Sequence, residues 1–250
     1  MILRRIAEHV RAQNWTAVGL DFLIVVVGVF IGLQVSNWND ARSDRARAAL
    51  ILEDIAADLR ADTEEIQNTL RAAEERFAAS DVILDRAIGW QSPTTIPTLD
   101  GEYLPLDAPR MEHDWAASHA IAYAVRYTTF DTERHAYDGL VASGDILLLS
   151  DSGLIESLRA HYARVDGFND VEDHHYRLSV NRMRAQFMDA GIGRLDTLEW
   201  AALEAAVADN PGLAGALKWV NSDSLHQMRA LRELHAETEA LIAQVEGTGP

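Results

Sequence analysis

The segment from Thr16 to Ser36, TAVGLDFLIVVVGVFIGLQVS, constrains the fold of this chain more than any other feature. Only Asp21 and Gln34 interrupt it strongly, and at a rise of 1.5 Å per residue about 20 residues cover the roughly 30 Å hydrocarbon core of a bilayer. Trp15 and Trp38 stand at its two ends, where amphipathic indoles favour the headgroup level. The run is long for the apolar region of a signal peptide, and no small-x-small cleavage site follows it, so it reads as an uncleaved anchor rather than a leader. The alternative, a buried helix of a soluble protein, fits the length and the flanking tryptophans less well. The expected organisation is a basic tail over 1–15, a transmembrane helix over 16–38 and a soluble acidic helical domain over 39–250. The expected fold class is all-α, one N-terminal transmembrane helix continuing into a soluble bundle of long helices.

The arginines around the span do not choose its orientation. Arg4, Arg5 and Arg11 precede it, and Arg42, Arg45 and Arg47 follow it. A short tail is easily retained and a long domain translocates largely regardless of its own charge. The reading therefore favours a bacterial inner-membrane protein with its N-terminus inside and its large domain in the periplasm.

One face of the span is unusual. At 100° per residue, Val25, Gly28, Gly32 and Val35 fall within about 40° of Asp21. Gly28 and Gly32 form a G-x-x-x-G, which lets another helix approach closely. An acid on that face is costly in lipid unless it is protonated, paired or near the interface. The face predicts packing against a second membrane helix, from a protein partner or another copy of the chain. The plainer alternative is that Asp21 lies near the headgroups and the glycines are incidental. Asn37, Trp38, Asn39 and Asp40 form a polar junction with Trp15 as its counterpart, expected at the membrane interface. There Asn and Asp either cap the following helix, hydrogen-bond headgroups, or simply mark the boundary.

Composition narrows the chemistry of the rest. A formal net charge of −17 repels nucleic acid, whose recognition needs clustered Lys and Arg. Cysteine is absent, which excludes disulfides, thiolate zinc sites and thiol catalysis. Lys218 is the only lysine, which argues against Schiff-base chemistry. The hydrophobic fraction, 48%, is enough for a packed core.

From about Asn39 to Ile88 the chain carries neither Pro nor Gly. Leu52, Ile55, Leu59, Ile66, Leu70, Phe77, Leu84 and Ile88 recur at helical spacing, which predicts one long helix continuing from the span. Asp62 falls on this seam and weakens a strict coiled coil, and the stripe is expected to pack within its own chain. Residues 90–112 hold Pro93, Pro97, Pro105 and Pro109 and predict an irregular excursion with extended stretches. Further helices are expected over about 112–127, up to Gly144 with Asp131 or Thr132 as cap, and from about Asp151 with Ser150 as cap. The last of these continues to Ala190 with a weak point at Gly167, and Gly191 and Gly193 stop it. A short helix over about 198–207 precedes a long one from about Gly212 to Val245, opened by Pro211.

The stretch from Asp21 to Asp40 resembles an uncharacterised bacterial family, domain of unknown function 6090. The residues that carry the likeness are Asp21, Gly28, Gln34, Asn37, Trp38, Asn39 and Asp40. Leu20 and Ser36 depart from the family, which has Gly and Asn there. Tyr137, Leu140, Ser143, Gly144, Leu154, Leu158 and Tyr162 look like its helix–Gly–turn–helix segment. The resemblance implies this architecture and membrane anchoring, and no reaction.

The strongest chemical candidate is the run Asp170, Glu172, Asp173, His174 and His175, with His161 upstream. Asp170 and His174 share a helix face, as do Glu172 and Tyr176, and such a pair can ligate a metal if other helices supply more ligands. Acid–His pairs on a polar face are more often solvated surface. His113, Asp114, His119, Glu133 and His135 read as capping or surface groups. Ser143-Gly144 and Ser152-Gly153 lack the context of a hydrolase elbow. The expected function is a non-enzymatic, membrane-anchored interaction or sensing module with no cofactor. The alternatives are an accessory subunit of a membrane complex, with Asp21 paired to a basic residue of a partner helix, or a membrane-tethered metal-dependent enzyme.

Overall fold

The structure is a computed structural model that describes residues 15–93, 95–97, 103–105, 114–194 and 196–248, with only the backbone for 15–18, 96–97 and 103–105. The basic tail, Pro109 and His113 lie outside the described residues. By internal packing the chain divides into Met1–Ile51 and Leu52–Gly249, although a single helix, α1 (Trp15–Ile88), runs through the division.

In the first unit α1 carries its apolar stretch with no other described residue packed on it. The residues from Gly19 to Asp40 are exposed. This is the one helix among those described that is long and apolar enough to cross a membrane.

The second unit is an up-and-down bundle of four largely helical arms, with one short β ladder among the described residues. The first arm is α1 from Leu52 onward. The ladder pairs β1 (Thr95–Pro97) with β2 (Tyr103–Pro105), antiparallel, with Ile96 opposite Leu104. The second arm comprises α2 (Ala117–Ala124) and α3 (His135–Ser143), joined by non-helical residues. The third is α4 (Ser152–Val171), a π turn (Glu172–Tyr176) and α5 (Arg177–Asp189) in one continuous rod. After the short α6 (Trp200–Asp209), α7 (Pro211–Gly247) is the fourth.

Cross-links give the directions. Gln67 meets His235, Glu74 meets Arg232 and Arg76 meets Ser224, so α1 and α7 are antiparallel. Arg164 pairs with Glu233 and His175 with Asp223, so the third arm is antiparallel to α7 as well. The second arm runs back along both α1 and the third arm: Val125 lies at Arg184, Arg134 at Asp166, and Thr132 at Asp62.

Periodicity explains the bundle. Leu52, Leu59, Ile66, Ala73 and Ser80 form one heptad row of α1, and Ile55, Asp62, Thr69, Arg76 and Ile83 form another; all ten are buried. On α7 the buried row Leu213, Leu217, Val220, Ser224, Gln227, Leu231, Leu234, Thr238, Leu241 and Val245 steps by four and three throughout. Facing it are Leu154, Leu158, His161, Val165, Phe168, Glu172, Tyr176, Val180, Met183 and Phe187. That row takes three consecutive steps of four, from Phe168 to Val180. A helix holding strictly to α geometry would rotate those residues off the seam, and the extra residue of the π turn restores them.

Several expectations are corrected by local chemistry. The second predicted helix begins at Ala117 rather than near 112 and ends at Ala124. The cap of α3 is neither Asp131 nor Thr132. Instead Asp58 Oδ2 accepts from Ala136 N at 2.9 Å, and Asp62 Oδ1 accepts from Glu133 N at 2.7 Å. The cap of α4 is Asp151, not Ser150, accepting from Gly153 N and Leu154 N. The irregularity in the third arm lies at Glu172–Tyr176, not at Gly167. Ile88 is 40% exposed and drops out of the stripe. Gly144, at φ 79°, ends α3 in the left-handed conformation that favours glycine.

Candidate functional site

The break in the second arm accounts for most of the buried charge. A non-helical stretch inside a bundle leaves backbone groups without their i→i−4 partners, and each must find another donor or acceptor or incur the cost of desolvation. Arg184 donates twice to Val125 O, at 3.0 and 2.7 Å. Arg76, 2% exposed, donates to Arg126 O at 3.1 Å, to Ser224 Oγ at 2.9 Å and to Gln227 Oε1. Gln227 Nε2 donates to Glu172 Oε1, and Glu172 Oε2 accepts from Phe130 N at 3.2 Å. Thr132 Oγ1 donates to Asp62 Oδ2 at 2.7 Å. Asp62, Arg76 and Glu172, with Gln227 linking the last two, are thus the core-row side chains that substitute for the missing helix.

Burial sets the electrostatics. It lowers the Arg76 guanidinium to about 10, still charged at neutral pH. It raises the Glu172 carboxyl, against the opposing hydrogen bonds from Phe130 N and Gln227 and the nearby Arg76 charge. It raises Asp62 to about 6, opposed by its bonds to Thr132 and Glu133. Arg76 also lies 5.7 Å from the centre of the Tyr127 ring, and the Tyr127 hydroxyl donates to Glu172 O at 3.1 Å.

Not every buried group is satisfied. His161 is 6% exposed, and among the described residues neither ring nitrogen has a hydrogen-bond partner. Burial lowers it to about 4, so it stays neutral near physiological pH. It lines a groove between α4 and α7 crossed by the Arg164–Glu237 pair at 2.8 Å. Asp223 is 5% exposed; its Oδ1 lies 3.2 Å from His175 Nε2, while its Oδ2 has no partner among the described residues. It lines a second groove, of about 550 Å³, between α5 and α7.

The candidate metal run is dispersed by the same geometry. Glu172 turns inward to Gln227 and Phe130 N, His174 Nδ1 donates to its own backbone at Asp170 O (2.9 Å), and His175 faces Asp223. His161 sits thirteen residues before His174, roughly 20 Å along the helix. Among the described residues no three His, Asp or Glu side chains converge as metal ligands. Asp114, His119 and Glu133 are exposed, and His135 lies 3.5 Å from Glu133 at the surface. Ser143 Oγ donates to Leu140 O, within its own helix end.

On the apolar segment Asp21, Val25, Gly28, Gly32 and Val35 are all exposed, and a Cβ built at Gly28 or Gly32 meets nothing within 4 Å. Asn37, Trp38, Asn39 and Asp40 are exposed as well, and the Arg42 guanidinium lies 5.8 Å from the Trp38 ring centre. Trp15 is helical, and its side chain lies outside the described residues. The helix passes through Asn37–Asp40 without a break, so these residues cap nothing, contrary to one reading of the sequence.

Sequence reasoning missed Arg76, Gln227, Asp223 and Arg184. The signal for the first two was present, since both continue a heptad row with a polar side chain. Comparison with protein-family models, with curated proteins and with solved structures yields no match for this chain.

Proposed function

We propose that the chain is a single-pass membrane-anchored helical module for interaction or sensing, with no catalytic role. The observation that carries this reading is the surface of α1. Twelve large aliphatic or aromatic side chains between Leu20 and Val35 are exposed. Each would gain roughly 1.5–3 kcal/mol on leaving water. Such a segment calls for a bilayer, and the absence of any packing at Gly28 and Gly32 leaves that face open to a partner helix. The polar groups of the bundle mainly satisfy its own backbone, which favours a binding role over a reactive one. The likeness of Asp21–Asp40 to the membrane-anchored family supports the same reading, with the bundle on the periplasmic side of a bacterial inner membrane.

Reporter fusions at Pro250 that distinguish cytoplasm from periplasm test the orientation. A periplasmic signal is expected, and a cytoplasmic one would place the bundle among intracellular partners. Gly28→Ile with Gly32→Ile should reduce self-association or partner association in a membrane two-hybrid assay. Unchanged association would remove the packing face, and with it the accessory-subunit version in which Asp21 pairs a basic residue on that face.

A further inference from the structure

The groove between α5 and α7 carries an inference about what the bundle recognises. Its walls are one face of each helix. Leu178, Arg182 and Gln186 come from α5, and Gly215, Trp219 and Asp223 from α7, with His175 of the π turn at one end. The two helices are antiparallel, so His175 and Asp223 share one end while Gln186 and Gly212 share the other.

Three features of the groove lack an internal explanation. Asp223 is buried, yet its Oδ2 has no hydrogen-bond partner among the described residues, and an unsatisfied buried oxygen is destabilising. Arg182 is exposed and makes no hydrogen bond or ion pair with any described residue, although the chain has acids in excess. Trp219 is 65% exposed one helical turn from Asp223, and the nearby Leu178 is 45% exposed. A carboxylate, an indole and a guanidinium therefore follow one another along the groove, among both apolar and polar lining residues. A cavity of about 550 Å³ lies within the range of small-ligand sites.

The spacing specifies a class of ligand. Arg182 lies about seven residues along the seam from the level of Asp223, an axial distance of roughly 10 Å. An extended chain spans at most about 3.3–3.6 Å per residue, so three residues cover that distance. We propose that this groove binds a short zwitterionic peptide of about three residues. Its terminal ammonium pairs with the Asp223 carboxylate at the His175 end, an apolar side chain lies on Trp219, and its terminal carboxylate pairs with Arg182. Gly215 keeps the floor low: a Cβ there would meet no protein atom and would project into free space. This deepens the sensing reading and rests on it only for the purpose of binding, since the groove lies wholly within the bundle.

The test is calorimetry on the full chain in detergent micelles, with the tripeptide Ala-Leu-Ala as probe. Saturable binding is expected, at least tenfold weaker for the N-acetylated peptide and at least tenfold weaker for the C-amidated one. Asp223→Asn should abolish the discrimination against the acetylated form, and Arg182→Gln that against the amidated form. Both variants are checked for an unchanged unfolding midpoint. Trp219→Ala, at an exposed position, should weaken binding whether or not Asp223→Asn folds normally. No saturable binding at millimolar peptide would overturn the proposal, as would equal binding of either blocked peptide. Because micelles replace the bilayer, this failure is distinct from failure of the membrane reading, which the topology fusions decide.

Discussion

The two stretches of α1 obey opposite rules within one helix. From Leu20 to Val35 nearly every side chain is apolar and every one is exposed. From Leu52 to Leu84 the exposed positions are polar apart from Ala57 and Ala61, and the buried heptad rows contain Asp62, Thr69, Arg76 and Ser80. A helix uniformly apolar around its circumference has no preferred side and suits a solvent that is itself apolar. A helix with one buried stripe finds its solvent in neighbouring helices, and those neighbours can supply hydrogen bonds to whatever polar group the stripe carries. The contrast shows why burying a charge is tolerated in one stretch and why even Asp21 stands out in the other.

The largest expected effect separates the two stretches directly. Val26→Arg combined with Phe30→Arg should cost roughly 5–7 kcal/mol of membrane insertion, at about 2.5–3.5 kcal/mol per central arginine. The pair should move the chain out of the membrane fraction while leaving the thermal unfolding of the bundle unchanged. Leu59→Arg should do the converse, abolishing the cooperative unfolding transition while leaving the span intact. Equal effects of both changes on unfolding would erase the distinction between the stretches.

Next in size is the buried charge of the second stretch. Arg76→Ala leaves Glu172 facing Gln227 without its cation and should destabilise by about 3–5 kcal/mol. Arg76→Met with Glu172→Gln should lose clearly less, as measured by urea unfolding. If the double variant were as unstable as the single one, the charge of Glu172 would not be what Arg76 offsets, and backbone satisfaction at Arg126 O would carry the whole effect.

Smaller effects come from titration, with opposite signs at two sites. His161 falls from an ordinary 6.5 to about 4 in the fold, so the unfolded chain binds the proton more readily and stability is lost as pH falls across that window. His161→Phe removes two unpartnered ring nitrogens and should stabilise by roughly 1–3 kcal/mol, with a flatter loss on the acid side. Asp62 rises from 3.8 to about 6, so its contribution is full below about 4 and is lost as pH rises through 6. Asp62→Asn should remove that decline between pH 4 and 6. Unfolding midpoints measured across pH 4–7 check both, and parallel slopes for wild type and either variant would contradict the assignment.

Much of this architecture was legible in the sequence. The apolar stretch of α1, the long helix behind it, Pro211 at the start of α7 and the excursion near residue 90 follow from periodicity and breakers. The polar members of the core rows were legible in principle, because Asp62, Thr69 and Arg76 keep heptad register with Ile55 and Ile83. Their partners were not: the Phe130 and Glu133 amides become acceptor-seeking only once the second arm is seen to break inside a bundle. The caps of α3 come from Asp58 and Asp62, more than seventy residues upstream, a pairing that local capping rules do not address. The π turn left a trace in three successive steps of four, which a reading with only a weak point at Gly167 does not use. The unpaired Oδ2 of Asp223 has no sequence signature, since it depends on which neighbours fail to reach it.

The anchoring of the first stretch is tested most directly by extraction. Membranes from cells expressing the full chain are washed at high pH and then dissolved in detergent. A transmembrane helix predicts that the chain stays in the pellet through the alkaline wash and is released only by detergent. Quantitative release at high pH would contradict it and would require the apolar face of Leu20–Val35 to be covered by protein instead.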